Sequence, residues 1–219
     1  MKVKRPRTWA YRMFGPFLWI LFRLYYSPKL FGKGNIPKKG ATVICSNHKH
    51  VLDQCLAAMS TLRPINYMAK AEYFQGKFAW FFKLAGCICV NRNGHDDEAK
   101  ASANAVLSSG GALGIFPEGT RNRTNNIMGE FKYGAASLAC KNEAVMVPVA
   151  VTGEYKFRSK SLCARIGEPF STKGMTVEEA NNKLHGEIVK LIKANLDAGY
   201  GTPDEFERME RYEREAKIG

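Results

Sequence analysis

Five short apolar runs constrain the fold most. They are ATVICS (41–46), INYMAK (65–70), GCICVNR (86–92), ALGIFPEG (112–119) and AVMVPVAVTG (144–153). Each is too short for a helix that buries a face, and each is rich in Val, Ile or aromatic residues, as strands are. The stretches between them read as helices: Leu52–Leu62, Phe78–Leu84, Asp96–Ser108 and Gly134–Lys141. Strands that alternate with helices predict an α/β domain. At 219 residues the chain has room for one substantial domain but not comfortably for two. Hydrophobic residues at 45% can fill its core and exclude global disorder.

The two ends differ from this pattern. Residues 1–33 are basic and aromatic: MKVKRPR, then WAYRMFGPFLWILFRLYY. Arg12 and Arg23 interrupt the apolar stretch and no small-residue cleavage site follows, unlike a signal peptide. The uninterrupted run from Met13 to Phe22 is well short of the ~20 residues a spanning helix needs. Aromatic residues with flanking Lys and Arg mark a membrane interface, so this segment is expected to associate with an anionic membrane surface. Packing against the domain's own core is the alternative. Gly15-Pro16 is expected to kink the segment. Residues 34–200 form the main domain. Within it Thr176 and Glu179 form a capping box, Leu184, Ile188, Leu191 and Ile192 a single apolar stripe, and Gly199 ends the helix. Residues 201–219 open with Thr202 as N-cap and continue as a mixed-charge helix with the character of a solvated surface.

Charge narrows the partners. The formal charge is +13, which suits nucleic acid, anionic lipid, phosphorylated substrates or an acidic carrier protein. No helix-turn-helix, zinc finger or RNA-binding aromatic signature is present, so nucleic acid is not expected. The six cysteines sit mostly inside apolar runs, without the spacing of a disulfide framework, which predicts a reduced cytosolic setting. The expected location is the cytoplasmic face of the cytoplasmic membrane, with the protein held peripherally or monotopically.

Two turns carry the chemistry. In SNHKHVLDQ, a strand ends at Ser46 and a helix begins near Leu52, with His48 and Asp53 at a His-x4-Asp spacing. A carboxylate in the first helical turn can reach one imidazole nitrogen, fix the tautomer and raise the basicity of the other nitrogen. The spacing alone also fits a merely structural pair. In IFPEGTRNRT, a strand ends at Pro117, and Glu118, Gly119, Thr120 and Arg121 form the turn after it. Ligands of α/β sheets bind at such strand ends. Arginine offers a bidentate fork to phosphate. Arg92 follows a strand in the same way, and Lys70 ends one.

With these blocks on view, the chain resembles the glycerolipid acyltransferase family. The Asn-His-x4-Asp block matches Asn47, His48 and Asp53. Gly86, Ile88 and Arg92 match a Gly-x-Ile-x-x-x-Arg block, and Phe116 to Arg121 match Phe-Pro-Glu-Gly-Thr-Arg without a change. FKYGAASLA (131–139) and VPVAVTG (147–153) follow in the family's order, so the resemblance runs from about Gly34 to about Phe170. It implies an α/β fold with a mixed β-sheet flanked by helices. It implies acyl transfer to a lysophospholipid acceptor, lysophosphatidic acid first among them, from a thioester of coenzyme A or acyl carrier protein, with no bound cofactor. His48 would be the general base and Asp53 its orienting partner. Arg92 and Arg121 would hold phosphate, while Glu118, Gly119 and Thr120 would shape the acceptor site.

The chain departs from the family at two places. His50 stands where a small hydroxyl residue is common, which adds a second candidate base. Asn91 stands where an acidic residue often precedes the arginine. His-x-His in HKHVLDQ also resembles the start of a binuclear metallohydrolase motif, but Asp53 comes one residue late and Gln54 occupies the last ligand position. Other lyso- or amino-lipid acceptors, or a non-catalytic basic membrane- or nucleic-acid-binding protein, are the remaining alternatives.

Overall fold

The computed structural model describes residues 9–77, 79–91 and 96–218. Arg92 and the basic residues Lys2, Lys4, Arg5 and Arg7 lie outside the described residues. From the amino end, helix α1 (Trp9–Tyr26) leads to strand β1 (Lys29–Phe31), then β2 (Thr42–Ser46), α2 (Asp53–Ala58) and β3 (Ile65–Lys70). Next come α3 (Ala79–Leu84), β4 (Ile88–Val90), α4 (Asp97–Ser108), β5 (Ala112–Ile115) and α5 (Gly134–Lys141). The chain continues with β6 (Val145–Thr152), β7 (Cys163–Ile166), β8 (Phe170–Ser171), α6 (Val177–Asp197) and α7 (Pro203–Ile218).

The strands form one mixed sheet in the order β1-β7-β6-β2-β5-β3-β4, with β8 beside β6. β2 lies between β5 and β6, parallel to both, and all five of its residues are buried. Its side chains alternate between the two faces. Val43 and Cys45 join the large core under α4, α5 and α6, while Ile44 joins Ile36, Ala57 and Ile65 on the other face. β7 and β8 run antiparallel to β6, and this makes the sheet mixed.

Pro148 sits inside β6, a position where a missing N–H normally breaks a ladder. The Pro148 carbonyl accepts from the Gly167 N–H at 2.8 Å, so its nitrogen also faces the β7–β8 side. Register pairs Val149 with Ile166 and Met146 with Phe170, and Pro148 therefore falls in the gap between the two partner strands.

α6 supplies the longest packing stripe. Ala180, Leu184, Ile188, Ile192 and Leu196 are buried at helical spacing, each large side chain contributing roughly 1.5–3 kcal/mol. The expected capping box at Thr176 and Glu179 is present, and Gly199 takes the left-handed conformation (φ 80°) that ends the helix.

α1, β1 and α7 each touch the rest of the domain. α1 is one helix through Pro16 and lays a narrow stripe (Tyr11, Gly15, Trp19, Phe22, Tyr26) against the domain. Phe22 and Tyr26 pack with Leu56, Val151, Leu162 and Tyr155. The rest of α1 is exposed although largely apolar: Trp9, Met13, Phe14, Phe17, Leu18, Ile20, Leu21, Leu24 and Tyr25. Among the described residues, no helix is long and apolar enough to cross a membrane. β1, placed by sequence in the amino-terminal segment, is a strand of the sheet paired with β7. α7 is not simply a solvated helix: Glu205 and Met209 are buried.

Candidate active site

The parallel strands β2 and β5 both deliver their carboxyl ends to one edge of the sheet. At this edge β2 stops at Ser46, and the Asn47 side chain takes over the ladder. Its Nδ2 donates to the Val151 carbonyl at 2.9 Å, and the Val151 N–H donates to its Oδ1 at 2.7 Å. An amide side chain thus continues the sheet for one more step and fixes where the loop departs.

Asp53 is the first residue of α2, with its side chain fully buried. Its Oδ2 accepts from His48 Nδ1 at 2.9 Å, and from the Lys49 and His50 backbone N–H groups at 2.8 Å each. Its Oδ1 accepts from the Tyr155 hydroxyl at 2.7 Å. Four donors hold one carboxylate, which keeps the buried charge satisfied. An ionised carboxylate only accepts, so the His48 proton belongs on Nδ1, and the Nε2 lone pair is left for chemistry. The imidazole stacks on the Phe116 ring, centroids 3.9 Å apart and planes 15° apart.

The Glu118–Asn122 turn fixes the backbone of His48 at both polar groups. The His48 N–H donates to Glu118 Oε1 at 2.6 Å, and the His48 carbonyl accepts from the Asn122 N–H at 2.7 Å. Glu118 Oε2 accepts from the Gly129 N–H at 2.8 Å. Burial raises the Glu118 carboxyl above its ordinary range, opposed by these two backbone donors. Glu118 therefore acts on the site through backbone. Gly119 takes a left-handed conformation (φ 71°), which closes the turn with its N–H on the Phe116 carbonyl at 2.9 Å. Thr120 and Arg121 are exposed beyond it. The Arg121 charge contributes to lowering the His50 imidazole, whose largest cause is burial. Lys70 ends β3 at the same edge of the sheet.

The two histidines are now distinct. His50 stacks on Tyr155 at 4.3 Å, and its Nδ1 accepts from the Leu52 N–H at 3.3 Å. Only His48 has a carboxylate on Nδ1.

Three residues of this site escaped the sequence reading. Tyr155 reaches Asp53 from 102 positions away. Lys49 donates to the Gly153 carbonyl at 2.6 Å and pairs with Glu205 of α7. Glu205 Oε2 in turn accepts from the Gly153 and Thr202 N–H groups at 2.8 Å each. A cavity of about 210 Å³ lies beside His48, with Glu118 and Asn122 on one wall and Thr202, Glu205 and Arg208 on another. Only Thr202 as an N-cap was visible in the sequence, and it gave no hint of this contact.

A carboxylate-oriented histidine with a free Nε2, at the strand ends of an α/β sheet and beside an exposed arginine turn, can act as a general base toward a hydroxyl. Comparisons with known proteins agree with the sequence motifs. The Acyltransferase family model matches residues 28–152, more than half of the chain, and the chain belongs to that family. It is 32% identical over 139 residues to the 1-acyl-sn-glycerol-3-phosphate acyltransferase of Borreliella burgdorferi, covering 62% of this chain and 55% of that protein. It is 30% identical over 156 residues to the Bacillus subtilis protein of the same name, covering 68% of this chain and 77% of that one. The chain thus spans about half of the first relative and about three quarters of the second. The crystal structure of PlsC from Thermotoga maritima, a 1-acyl-sn-glycerophosphate acyltransferase, shares the fold. Its TM-score is 0.65 at 22% identity, covering 81% of this chain and 74% of that one.

Proposed function

We propose that the protein transfers an acyl group from a thioester to the free hydroxyl of a lysophospholipid, with lysophosphatidic acid as the acceptor and phosphatidic acid as the product. The observation that carries this reading is the His48–Asp53 contact at 2.9 Å. His48 Nε2 takes the hydroxyl proton as the alkoxide oxygen attacks the thioester carbonyl. The tetrahedral intermediate then collapses, the C–S bond breaks, and the leaving thiolate takes the proton from the imidazolium. Asp53 stabilises the imidazolium while it exists. The lipid is the nucleophile, so no covalent enzyme intermediate is needed. The names of the Borreliella and Bacillus relatives support this acceptor. Arg121, exposed at the rim of the site, and Arg92 hold its phosphate. The thioester is carried by coenzyme A or acyl carrier protein.

The enzyme works at a membrane surface. Apolar side chains cover the outward faces of α1, more than a soluble monomer ordinarily exposes in one place. Among the described residues no helix is long and apolar enough to cross a membrane, which suits an α1 lying in one leaflet. The test is purified protein with a labelled acyl thioester and a panel of lysolipid acceptors, read by mass spectrometry. Phosphatidic acid is the expected product. Acylation of another lysolipid in its place would reassign the acceptor, and thioester hydrolysis with no acylated lipid would remove the transferase reading.

A further inference from the structure

A second basic cavity lies at the opposite edge of the sheet from His48. β2, β3 and β5 start there, and the five residues of β2 separate it from the active site by roughly 15 Å. The cavity is about 370 Å³, and Arg12, Lys38, Lys39 and Arg63 line it, with no acidic residue in its walls among the described residues. The basic residues come from α1, the turn before β2 and the turn before β3, and the fold brings them together.

The floor is built and bare. Arg63 Nη1 donates to the Pro37 carbonyl at 2.6 Å and to Thr42 Oγ1 at 3.0 Å. Its Nη2 donates to the carbonyls of Gly40 and Gly110. One guanidinium thus ties three loops together and satisfies three of their carbonyls. Gly40 and Gly110 both have left-handed φ and carry no side chain to fill the space. Lys38 and Lys39 are exposed, as is Arg12, and among the described residues none of the three has a carboxylate at ion-pair distance.

We propose that this cavity binds a phosphate group, and that the phosphate belongs to the headgroup of an anionic phospholipid. The chemistry calls for a compact anion, because three cations converge without a counter-charge. The lipid source follows from α1. Arg12 lines the cavity, while its neighbours Trp9 and Met13 are 53% and 56% exposed and point apolar surface outward. A phosphate held by Arg12 and the two lysines would have its acyl chains beside those side chains. The site would anchor the amino-terminal end of α1 to the bilayer, while the carboxyl-terminal end packs near Tyr155 and the active site.

The test uses the whole protein and vesicles of phosphatidylcholine with and without phosphatidylglycerol, in the absence of any acyl donor. Its outcome is therefore independent of the transferase reading. The variant Lys38→Ala/Lys39→Ala is compared with Lys190→Ala/Arg211→Ala, which removes equal charge from the exposed sides of α6 and α7. Thermal unfolding checks that both fold. The first variant is expected to lose roughly tenfold or more in affinity for phosphatidylglycerol vesicles, and the second much less. Equal losses would mean diffuse attraction by net charge and would overturn the site. Inorganic phosphate alone, read by the amide shifts of Gly40 and Gly110, separates the two sources. A response there, with vesicle binding unchanged in Lys38→Ala/Lys39→Ala, would assign the cavity to a soluble phosphate compound and overturn the lipid proposal.

Discussion

The Tyr155 hydroxyl donates to Asp53 Oδ1 at 2.7 Å, while Phe22 and Tyr26 of α1 pack their rings edge-on to Tyr155 at 6.5 and 5.7 Å. The helix that carries the exposed apolar surface thus supports the residue that holds the Asp53 carboxylate. Burial raises the Tyr155 phenol well above its ordinary range, with the Asp53 charge adding to the shift, so this hydroxyl is a donor at every physiological pH.

Tyr155→Phe tests that link. It leaves one oxygen of a fully buried carboxylate without its donor, at a cost of about 1–3 kcal/mol. Urea unfolding should show that loss. The rate should fall in kcat more than in KM, because the phenol touches Asp53 and not the cavity beside His48. Equal stability and an unchanged kcat would remove Tyr155 from the site.

Much of the fold was legible because it rests on local periodicity. β3 and α5 lie at the bounds expected, and α4, expected from Asp96, begins at Asp97 with Asp96 as its N-cap. β1, β7 and β8 were missed because each is two to four residues long and none lies within one of the five apolar runs. α2 was expected over Leu52–Leu62 but ends at Ala58. Ser60 there turns its hydroxyl back to the Leu56 carbonyl, and Leu62 is exposed, so the apolar count overstated the helix. The His48–Asp53 pair was legible because five positions separate its members. Tyr155 and Glu205 were not, because tertiary contact alone brings them to the loop.

Glu118 was expected to shape the acceptor pocket, and its two backbone bonds sharpen that expectation. Glu118→Ala orphans the His48 and Gly129 N–H groups, each at about 1–3 kcal/mol, and should lower stability and kcat together. Glu118→Gln keeps one acceptor and should fall between. A Glu118→Gln protein of wild-type stability with only KM raised would instead mean direct contact with the acceptor.

The outward side of α1 can be tested without disturbing its packed stripe. Phe17, Leu21 and Leu24 share one helical face and are 62%, 48% and 64% exposed. The triple serine variant should stay within about 0.5 kcal/mol of wild type per site, as surface changes do, and bind vesicles much more weakly. Unchanged vesicle binding would remove this face from the membrane surface.

His50 gives a stability signature in pH. Its folded pKa lies below the ordinary 6.5, chiefly through burial, so the unfolded chain takes up the proton first. Stability from this group is present above 6.5 and is lost as pH falls from there toward the folded value. His50→Gln should therefore lose less stability than wild type between about pH 7.5 and about pH 5.5. Equal losses in the two proteins would mean that burial does not lower the His50 imidazole.

The most direct test is the single-turnover rate of labelled acyl transfer to lysophosphatidic acid by His48→Ala, measured beside His50→Ser with folding checked in both. His48→Ala is expected to lose ~10²–10⁴ in rate with near-native unfolding, and His50→Ser to keep most activity. An active His48→Ala protein beside an inactive His50→Ser protein would contradict the account.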